Sequence, residues 1–454
     1  THLLDTEYYD SNIEDYNPDL VNAMREKDIL YKLCTELEGY DEVDKMMKDK
    51  DFSLKYIREK YEAGELKCKY AWSHLDLKSG GFAPCFRFKR NDFTESNIDK
   101  LPSQVINNSD FVKVRQQLRN DEWPAGCIDC QIQEESGLSS YRTRSLENTI
   151  HTDPDYESDT IHIKDLQLKM TRACNYKCRH CDTSSNSRFE QTGKDNPTIE
   201  LKLKKEFDFS HISPPTNKID IPDDRVMDDL FENVLPTVEN IEFSGGEPFY
   251  TRDMYKTLQR MIDDPTVDTK KISLVYNSNM SILEYKGWSV KTLWPHFKRV
   301  SVTVSLDGTG DLFNYFRTDG DYQTVLKNIV EIAPLVHNFL FVCTTTAYHA
   351  FYMNEIYNDF QDIKKLIPTK KVNIRTTFVH WPKALDIVNL EDNTKKKILD
   401  DLVVNDFTAE FARRLEGKRT LEEPKFKELV RLQDELYDVS CKTLAPKVWD
   451  YIHE

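Results

Sequence analysis

The segment Ile163-Lys-Asp-Leu-Gln-Leu-Lys-Met170 alternates apolar and polar residues as a half-buried strand does, and after Thr-Arg-Ala it opens into Cys174-Asn-Tyr-Lys-Cys178-Arg-His-Cys181. Three cysteines in a CxxxCxxC spacing on one short loop can grip three irons of a four-iron cluster and leave the fourth iron open. Zinc normally asks for a fourth ligand close by or a deliberate vacancy. Structural or zinc-binding cysteines are therefore the other reading of the triad. A second strand-like run, Asn240 to Phe243, leads into Ser244-Gly-Gly-Glu-Pro248. A glycine pair at such a place lets backbone approach a ligand closely, or simply turns a strand into a helix.

At 454 residues the chain is long enough for two or three domains. Its 39% hydrophobic and 31% charged content, with 14 Gly and 18 Pro, excludes collagen-like, low-complexity and broadly disordered classes. The 62 basic and 78 acidic side chains leave a formal net charge of −16, which repels phosphate backbones and makes nucleic acid a poor partner. No apolar run reaches the roughly 18 to 20 residues of a membrane helix, and the acidic start, Thr1 to Asp10, is unlike a secretory signal. A cytoplasmic protein with no membrane partner is expected, and a first residue other than Met is expected of a trimmed start. Ten cysteines are too dilute for a disulfide scaffold, and their clustering points to metal ligation.

Beyond the glycine pair, strand-like and helix-like runs alternate, which predicts an α/β fold of parallel strands with crossover helices. The strands are predicted at Ile163 to Met170, Asn240 to Phe243, Lys271 to Tyr276, Val300 to Leu306, Phe339 to Thr345 and Lys371 to Phe378. Helical spacing links Val226, Leu230 and Val234, then Met254, Leu258 and Ile262, then Val325, Ile329 and Val330, then Met353, Ile356 and Phe360. Six strands so arranged predict a partial (β/α)6 barrel over residues 160–385. In parallel α/β folds ligands sit at the carboxyl ends of the strands, where both motifs fall. Tyr276-Asn277-Ser278-Asn279 ends the third strand and Ser305-Leu306-Asp307-Gly308 the fourth, and both offer hydrogen-bonding groups there.

CxxxCxxC after the first strand and Gly-Gly-Glu-Pro after the second together resemble the radical S-adenosylmethionine (radical SAM) superfamily. The resemblance implies a four-iron four-sulfur cluster held by Cys174, Cys178 and Cys181. Its open iron would be chelated by the amino and carboxylate groups of S-adenosylmethionine. One electron would then cleave the sulfonium to a 5′-deoxyadenosyl radical that abstracts a hydrogen atom. It further implies that Gly245, Gly246 and Glu247 lie along the methionine amino group, with His180 at the position whose residue packs on the adenine. Ser305 is implied as a ribose contact, with Asn277 and Asp307 as lesser candidates. Arg317 matches an arginine that some members place near the methionine carboxylate, as a guanidinium suits. An exposed loop histidine is the other reading of His180, and a surface salt bridge that of Arg317.

Four more cysteines lie upstream. Cys68, eleven residues, Gly80, four residues and Cys85 are followed by Cys127-Ile-Asp-Cys130. Four thiolates from two segments suit zinc or an iron-sulfur cluster, and chemistry alone does not choose. The arrangement, with Trp72, Arg115 and Trp123-Pro124, resembles the twitch domain, a half-size relative of the SPASM domain, and implies an auxiliary four-iron four-sulfur cluster. That domain usually follows the barrel; here it would precede it, as a small N-terminal iron-sulfur domain over residues 66–150. Complete cysteine ligation favours electron transfer or potential tuning over substrate ligation. Of the remaining thiols, Cys343 on a core strand reads as a small buried hydrophobe.

Residues 1–65 are expected to be a helical N-terminal region and residues 386–454 a helical C-terminal one. There Ile398, Leu399, Leu402 and Val403, and then Phe426, Leu429, Val430, Leu436 and Tyr437, are expected to face the core. Lys395 to Lys397 and Arg413-Arg414 read as solvated faces. The stretch 182–222 reads equally as a lid or as a tolerated insertion. The leading expectation is a radical SAM enzyme fed by an external donor such as flavodoxin or ferredoxin, acting on an unidentified substrate, with a peptide or protein favoured. Its rivals are a dehydrogenase of a sugar or nucleoside, and a non-enzymatic metal-binding or electron-transfer protein. A methyltransferase would need an added methyl-carrying cysteine or cobalamin domain, and none is apparent. The sequence selects no catalytic acid or base.

Overall fold

In the computed structural model of the protein the described residues are 66–78, 81–89, 100–135, 140–147, 154–183, 185–207 and 223–454. The expected helical region 1–65 lies outside them. The sheet strands are β1 (His74–Lys78), β2 (Gly81–Ala83), β3 (Asp165–Lys169), β4 (Asn240–Ser244), β5 (Ser273–Ser278), β6 (Arg299–Ser305), β7 (Asn338–Thr345) and β8 (Lys371–Phe378). They form one sheet in the order β8-β7-β6-β5-β4-β3-β1-β2. All neighbouring pairs run parallel except β1 and β2, which form an antiparallel edge. The six strands expected from alternation are β3 to β8. The sheet departs from the expected six by two strands at one edge, because His-Leu-Asp-Leu-Lys at 74–78 also alternates and pairs with β3 from His74↔Asp165 to Leu77↔Leu168.

The helices α1 (Arg252–Asp263), α3 (Tyr322–Ile332), α4 (Met353–Leu366) and α5 (Phe426–Tyr437) fall on predicted spacings, and α2 (Gly310–Phe316) was not expected. The Thr251 hydroxyl accepts from Asp253 N at the start of α1, and the Asp321 carboxylate from Gln323 N and Thr324 N at the start of α3. On α1, Met254, Tyr255, Leu258 and Met261 are fully buried, a face in which each large side chain contributes about 1.5 to 3 kcal/mol. One face of the sheet supplies the matching core with Leu166, Leu168, Ile241, Phe243, Leu274, Tyr276, Val302, Phe339 and Phe341. Cys343 is buried on this face, as expected of a small hydrophobe. The opposite face is more polar, with Gln167, Glu242, Asn277, Ser301 and Thr303 in alternate positions beside Val275, Leu340 and Val342. A parallel sheet covered by helices on both faces reads as continuous apolar runs. This one alternates on β3 to β6, so its second face is a mainly polar floor.

The chain divides into two compact units. One comprises Thr1–Lys67 with Gln116–Trp123, the other Cys68–Arg115 with Pro124–Glu454. Within the first, Leu66 N donates to Asp121 Oδ1 over 2.7 Å. The second unit holds the whole sheet. Of the stretch 182–222, residues 208–222 lie outside the described ones, and two helices, Arg188–Asp195 and Pro197–Phe207, occupy much of the rest. They bury Phe189, Leu203 and Phe207, and Phe189 meets Tyr437 of α5 edge-on.

At the C-terminal end Phe426, Leu429, Val430 and Tyr437 face the core as expected. Val403 does not. It lies beyond the helix Asp392–Asp401 and is 64% exposed. Lys395, read as solvated, is buried, with its ammonium donating to the carbonyls of Gly417 and Val388. Arg414 is engaged by Asp386. Among the described residues no helix is long and apolar enough to cross a membrane.

Candidate active site

The cysteine loop leaves the carboxyl end of β3, and the glycine pair leaves the carboxyl end of β4 beside it. Gly246 N donates to Thr171 O over 2.9 Å and Glu247 N to Ala173 O over 2.8 Å, so the second motif lies against the backbone that leads into Cys174. A Cβ on Gly246 would stand 2.1 Å from Ala173 O, and one on Gly245, whose φ is +128°, 2.5 Å from Thr171 O. Only glycine permits this approach. The Glu247 carboxylate is buried and accepts from Ser278 Oγ (2.8 Å), Asn279 N (2.7 Å) and Phe249 N (3.1 Å). Burial pushes its pKa up to about 7 against those donors. Its side chain thus ties the turn to the end of β5.

Cys178 belongs to a two-residue strand, Lys177–Cys178, paired antiparallel with Arg317–Thr318. The register puts Arg317 opposite Cys178, and its guanidinium donates from Nη1 to the sulfur over 3.4 Å and from Nη2 to Asp307 Oδ2 over 2.5 Å. Arg317 is therefore a buried member of the site and not a surface charge. Burial would raise Asp307, but Arg317 and then His180 and His349 hold it below the usual carboxylate range. Its other oxygen accepts from Thr344 N over 2.7 Å. His180 stacks on Phe316 with centroids 5.2 Å apart, and its Nδ1 lies 3.9 Å from Asp307 Oδ2.

All three thiols are pushed up by burial first. Cys174 reaches about 12 and Cys178 about 11, the latter restrained by Arg317, and Cys181 is raised further by Cys178. Thiols so placed stay protonated unless positive charge joins them. No three His, Cys, Asp or Glu side chains among the described residues converge as ligands of a single metal ion would. The thiolates of an iron-sulfur cluster sit on different irons and need no such convergence. The donor set and the side-chain-free cradle of Gly245 and Gly246 fit a cluster with a ligand beside it.

Several contributors escaped the sequence reading. Asn279, and not Asn277, reaches the cysteine loop, with Nδ2 lying 3.1 Å from Asn175 Oδ1 and 3.9 Å from Cys174 Sγ. Asn277 points to the polar floor and donates to Glu242 Oε1 over 2.5 Å. Ser305 ends β6 on that same face, partly exposed. Arg179, between two cysteines, is fully buried; it donates to Tyr315 O and pairs with Asp434 of α5 at 2.9 Å. Tyr315, Tyr348 and Tyr437 surround its guanidinium at 3.8, 5.6 and 5.3 Å. His349 accepts from Thr346 N at Nδ1, so Nε2 carries the proton donated to Asp307 O. Burial takes its pKa down to about 4, and it is neutral. Arg179 and His349 carry no motif spacing. Only the chain's return through α5 and the turn after β7 brings their partners in.

Upstream, Cys68 precedes the helix Lys69–Ser73, Cys85 follows β2, and Cys127 and Cys130 flank the start of the helix Ile128–Glu135. Lys89 N donates to Gly126 O over 2.9 Å, which joins the Cys85 and Cys127 segments. Cys127 is raised by burial and then by Cys68, Cys85 and Cys130, so the four thiols lie within electrostatic reach of one another. Trp72 and Arg115 are buried, and Arg115 donates to the carbonyls of Ile106 and Asp159.

No curated protein matches the chain. Among solved structures, anSMEcpe with bound AdoMet is similar at 16% identity and a TM-score of 0.34, over 52% of this chain and 58% of that one. The same protein with bound AdoMet and Cp18Cys peptide gives 17% identity and a TM-score of 0.33, over 53% and 58%. SuiB of Streptococcus suis gives 12% identity and a TM-score of 0.28, over 68% and 62%. The chain thus spans less than two thirds of the length of each. The family model that matches is that of the radical SAM superfamily, over residues 168–366, a range that takes in the cysteine triad, the glycine pair and Arg317 but none of the four upstream cysteines.

Proposed function

We propose that the protein is an enzyme that cleaves S-adenosylmethionine reductively and uses the product to take a hydrogen atom from a second substrate. The observation that carries this reading is the docking of Gly246 and Glu247 onto the backbone leading into the cysteine triad. When bound, a four-iron four-sulfur cluster would supply the single electron that breaks the sulfonium carbon–sulfur bond. Cys174, Cys178 and Cys181 would hold it. The remaining work falls to the protein. Arg317 offers a hydrogen bond to the Cys178 sulfur and a positive charge beside it, both of which favour thiolate. Asp307 fixes the guanidinium, and His349, neutral, supports the Asp307 backbone. Gly245 and Gly246 keep side chains out of the space beside the loop, and His180 offers a ring face for a nucleobase.

We assign the four upstream cysteines to an auxiliary iron-sulfur cluster that passes electrons, from the twitch-like spacing and the mutual reach of the thiols. A flavodoxin- or ferredoxin-type donor would feed the site, and the same spacing favours a peptide or protein substrate.

The test uses full-length protein reconstituted anaerobically with iron and sulfide, reduced, and incubated with S-adenosylmethionine while 5′-deoxyadenosine is quantified. Formation of 5′-deoxyadenosine in the wild type and none in Cys178→Ala is expected. Equal amounts in the two would sink the reading.

A further inference from the structure

The mainly polar face of the sheet carries rows of polar side chains across β1, β3 and β4, bordered on β5 by Ser273, Val275 and Asn277. The register aligns His74 with Asp165 and Asn240, and the next row places Asp76, Gln167 and Glu242 side by side. Toward the carboxyl ends lie Lys169, Ser244 and Asn277. Gln167 Nε2 donates to Glu242 Oε1 over 3.2 Å and to Ser244 Oγ over 3.3 Å, which fixes its amide orientation. Gln167 is 7% exposed, and its Oε1 is buried and accepts no hydrogen bond. An acceptor left so has lost its hydrogen bonds to water without a replacement. Glu242 is mostly buried, and burial, then Asp76 and Asp165 against the pull of Asn277, takes it up to about 7. Among the described side chains of these rows the one ammonium is Lys169, whose Nζ lies 3.4 Å from Ser185 Oγ.

Acceptors and negative charge therefore dominate a floor that begins at the Ser244 preceding the glycine pair. No three of the described carboxylates converge as ligands of one metal ion would. The spread suits an organic cation with several donors.

We propose that Gln167 and Glu242, backed by Asp76 and Asp165, bind the primary ammonium or guanidinium group of the substrate. This deepens the reading of the neighbouring site as a S-adenosylmethionine enzyme and rests on it for calling the bound molecule a substrate. Such a cation supplies hydrogen to Gln167 Oε1 and keeps Glu242 ionised.

The experiment is equilibrium binding to the full-length, iron- and sulfide-loaded protein without S-adenosylmethionine. Butylamine and butylguanidine are compared with butanol and butyrate. A capped pentapeptide with a central lysine is compared with its norleucine counterpart, to separate a free amine from a lysine in a peptide. Saturable binding of at least one cationic probe is expected, with the matched neutral or anionic probe at least tenfold weaker. Glu242→Gln and Gln167→Leu should each weaken the cation at least tenfold. Failure of every cation to bind, equal binding of butanol, or unchanged affinity in a folded variant overturns the proposal. If Glu242→Gln fails to fold, the wild-type comparison and Gln167→Leu still decide. Loss of S-adenosylmethionine cleavage with cation binding intact would count against the enzyme reading alone, and the reverse against this pocket alone.

Discussion

Gly246 sits where two chain segments touch backbone to backbone, and a single methyl group is enough to test the contact. In Gly246→Ala the new Cβ meets Ala173 O at 2.1 Å, a neighbour that is main chain and cannot swing aside. Overpacking of this kind costs about 1 to 3 kcal/mol. The loop before Cys174 must shift, and a displacement near 1 Å in a reacting site costs on the order of 100-fold in rate. Gly246→Ala is therefore expected to keep its fold by chemical denaturation while 5′-deoxyadenosine formation falls about 100-fold. Rates within a factor of two of wild type would remove Gly246 from the site. At this scale the sequence was readable where a residue type is forced by geometry, as in the glycines and the triad. It was less readable for polar groups just past a strand. Asn277 and Asn279 have the same chemistry two positions apart, and only the end of β5 at Ser278 decides that the first turns to the floor and the second to Cys174.

Helix α5 is far from the motifs in sequence yet braces the triad. Gln433 donates from Nε2 to Arg179 O over 2.8 Å and accepts from Tyr348 Oη over 2.7 Å, while Asp434 pairs with the buried Arg179. Breaking one partner of a buried ion pair leaves the other charge uncompensated, at about 3 to 5 kcal/mol. Asp434→Asn should lose that much stability in urea denaturation, whereas Tyr437→Phe, which keeps the ring over the guanidinium, should lose under about 1 kcal/mol. A loss below about 1 kcal/mol in Asp434→Asn would show that the tyrosines alone hold Arg179. Strands β3 to β8 were legible because each alternates apolar with polar residues. The strand β1 was not assigned to the sheet, since its five residues lie inside the cysteine spacing that suggested a separate domain. The Val403 stripe failed for another reason. The helix ends at Asp401, and periodicity in sequence does not stop where a helix does.

The whole molecule joins the two cysteine groups through one sheet. Strand β1 follows Cys68 within the same short segment and pairs along β3, so the upstream thiols are attached to the strand that also carries the triad loop. Both groups lie in the unit Cys68–Arg115 with Pro124–Glu454. A cluster on these thiols would be held at a fixed place relative to the sheet. The proposed auxiliary cluster has a direct count attached to it. Two four-iron clusters give about eight irons per chain after anaerobic reconstitution, and one gives about four. Removing two ligands in Cys127→Ala with Cys130→Ala should take the protein from about eight irons to about four, with the triad's share intact. The complementary change, Cys174→Ala with Cys178→Ala, should leave about four irons held upstream. Zinc in place of iron at the upstream cysteines, or about four irons in the wild type, would sink the auxiliary cluster and leave these thiols a structural zinc knot on the edge of the sheet.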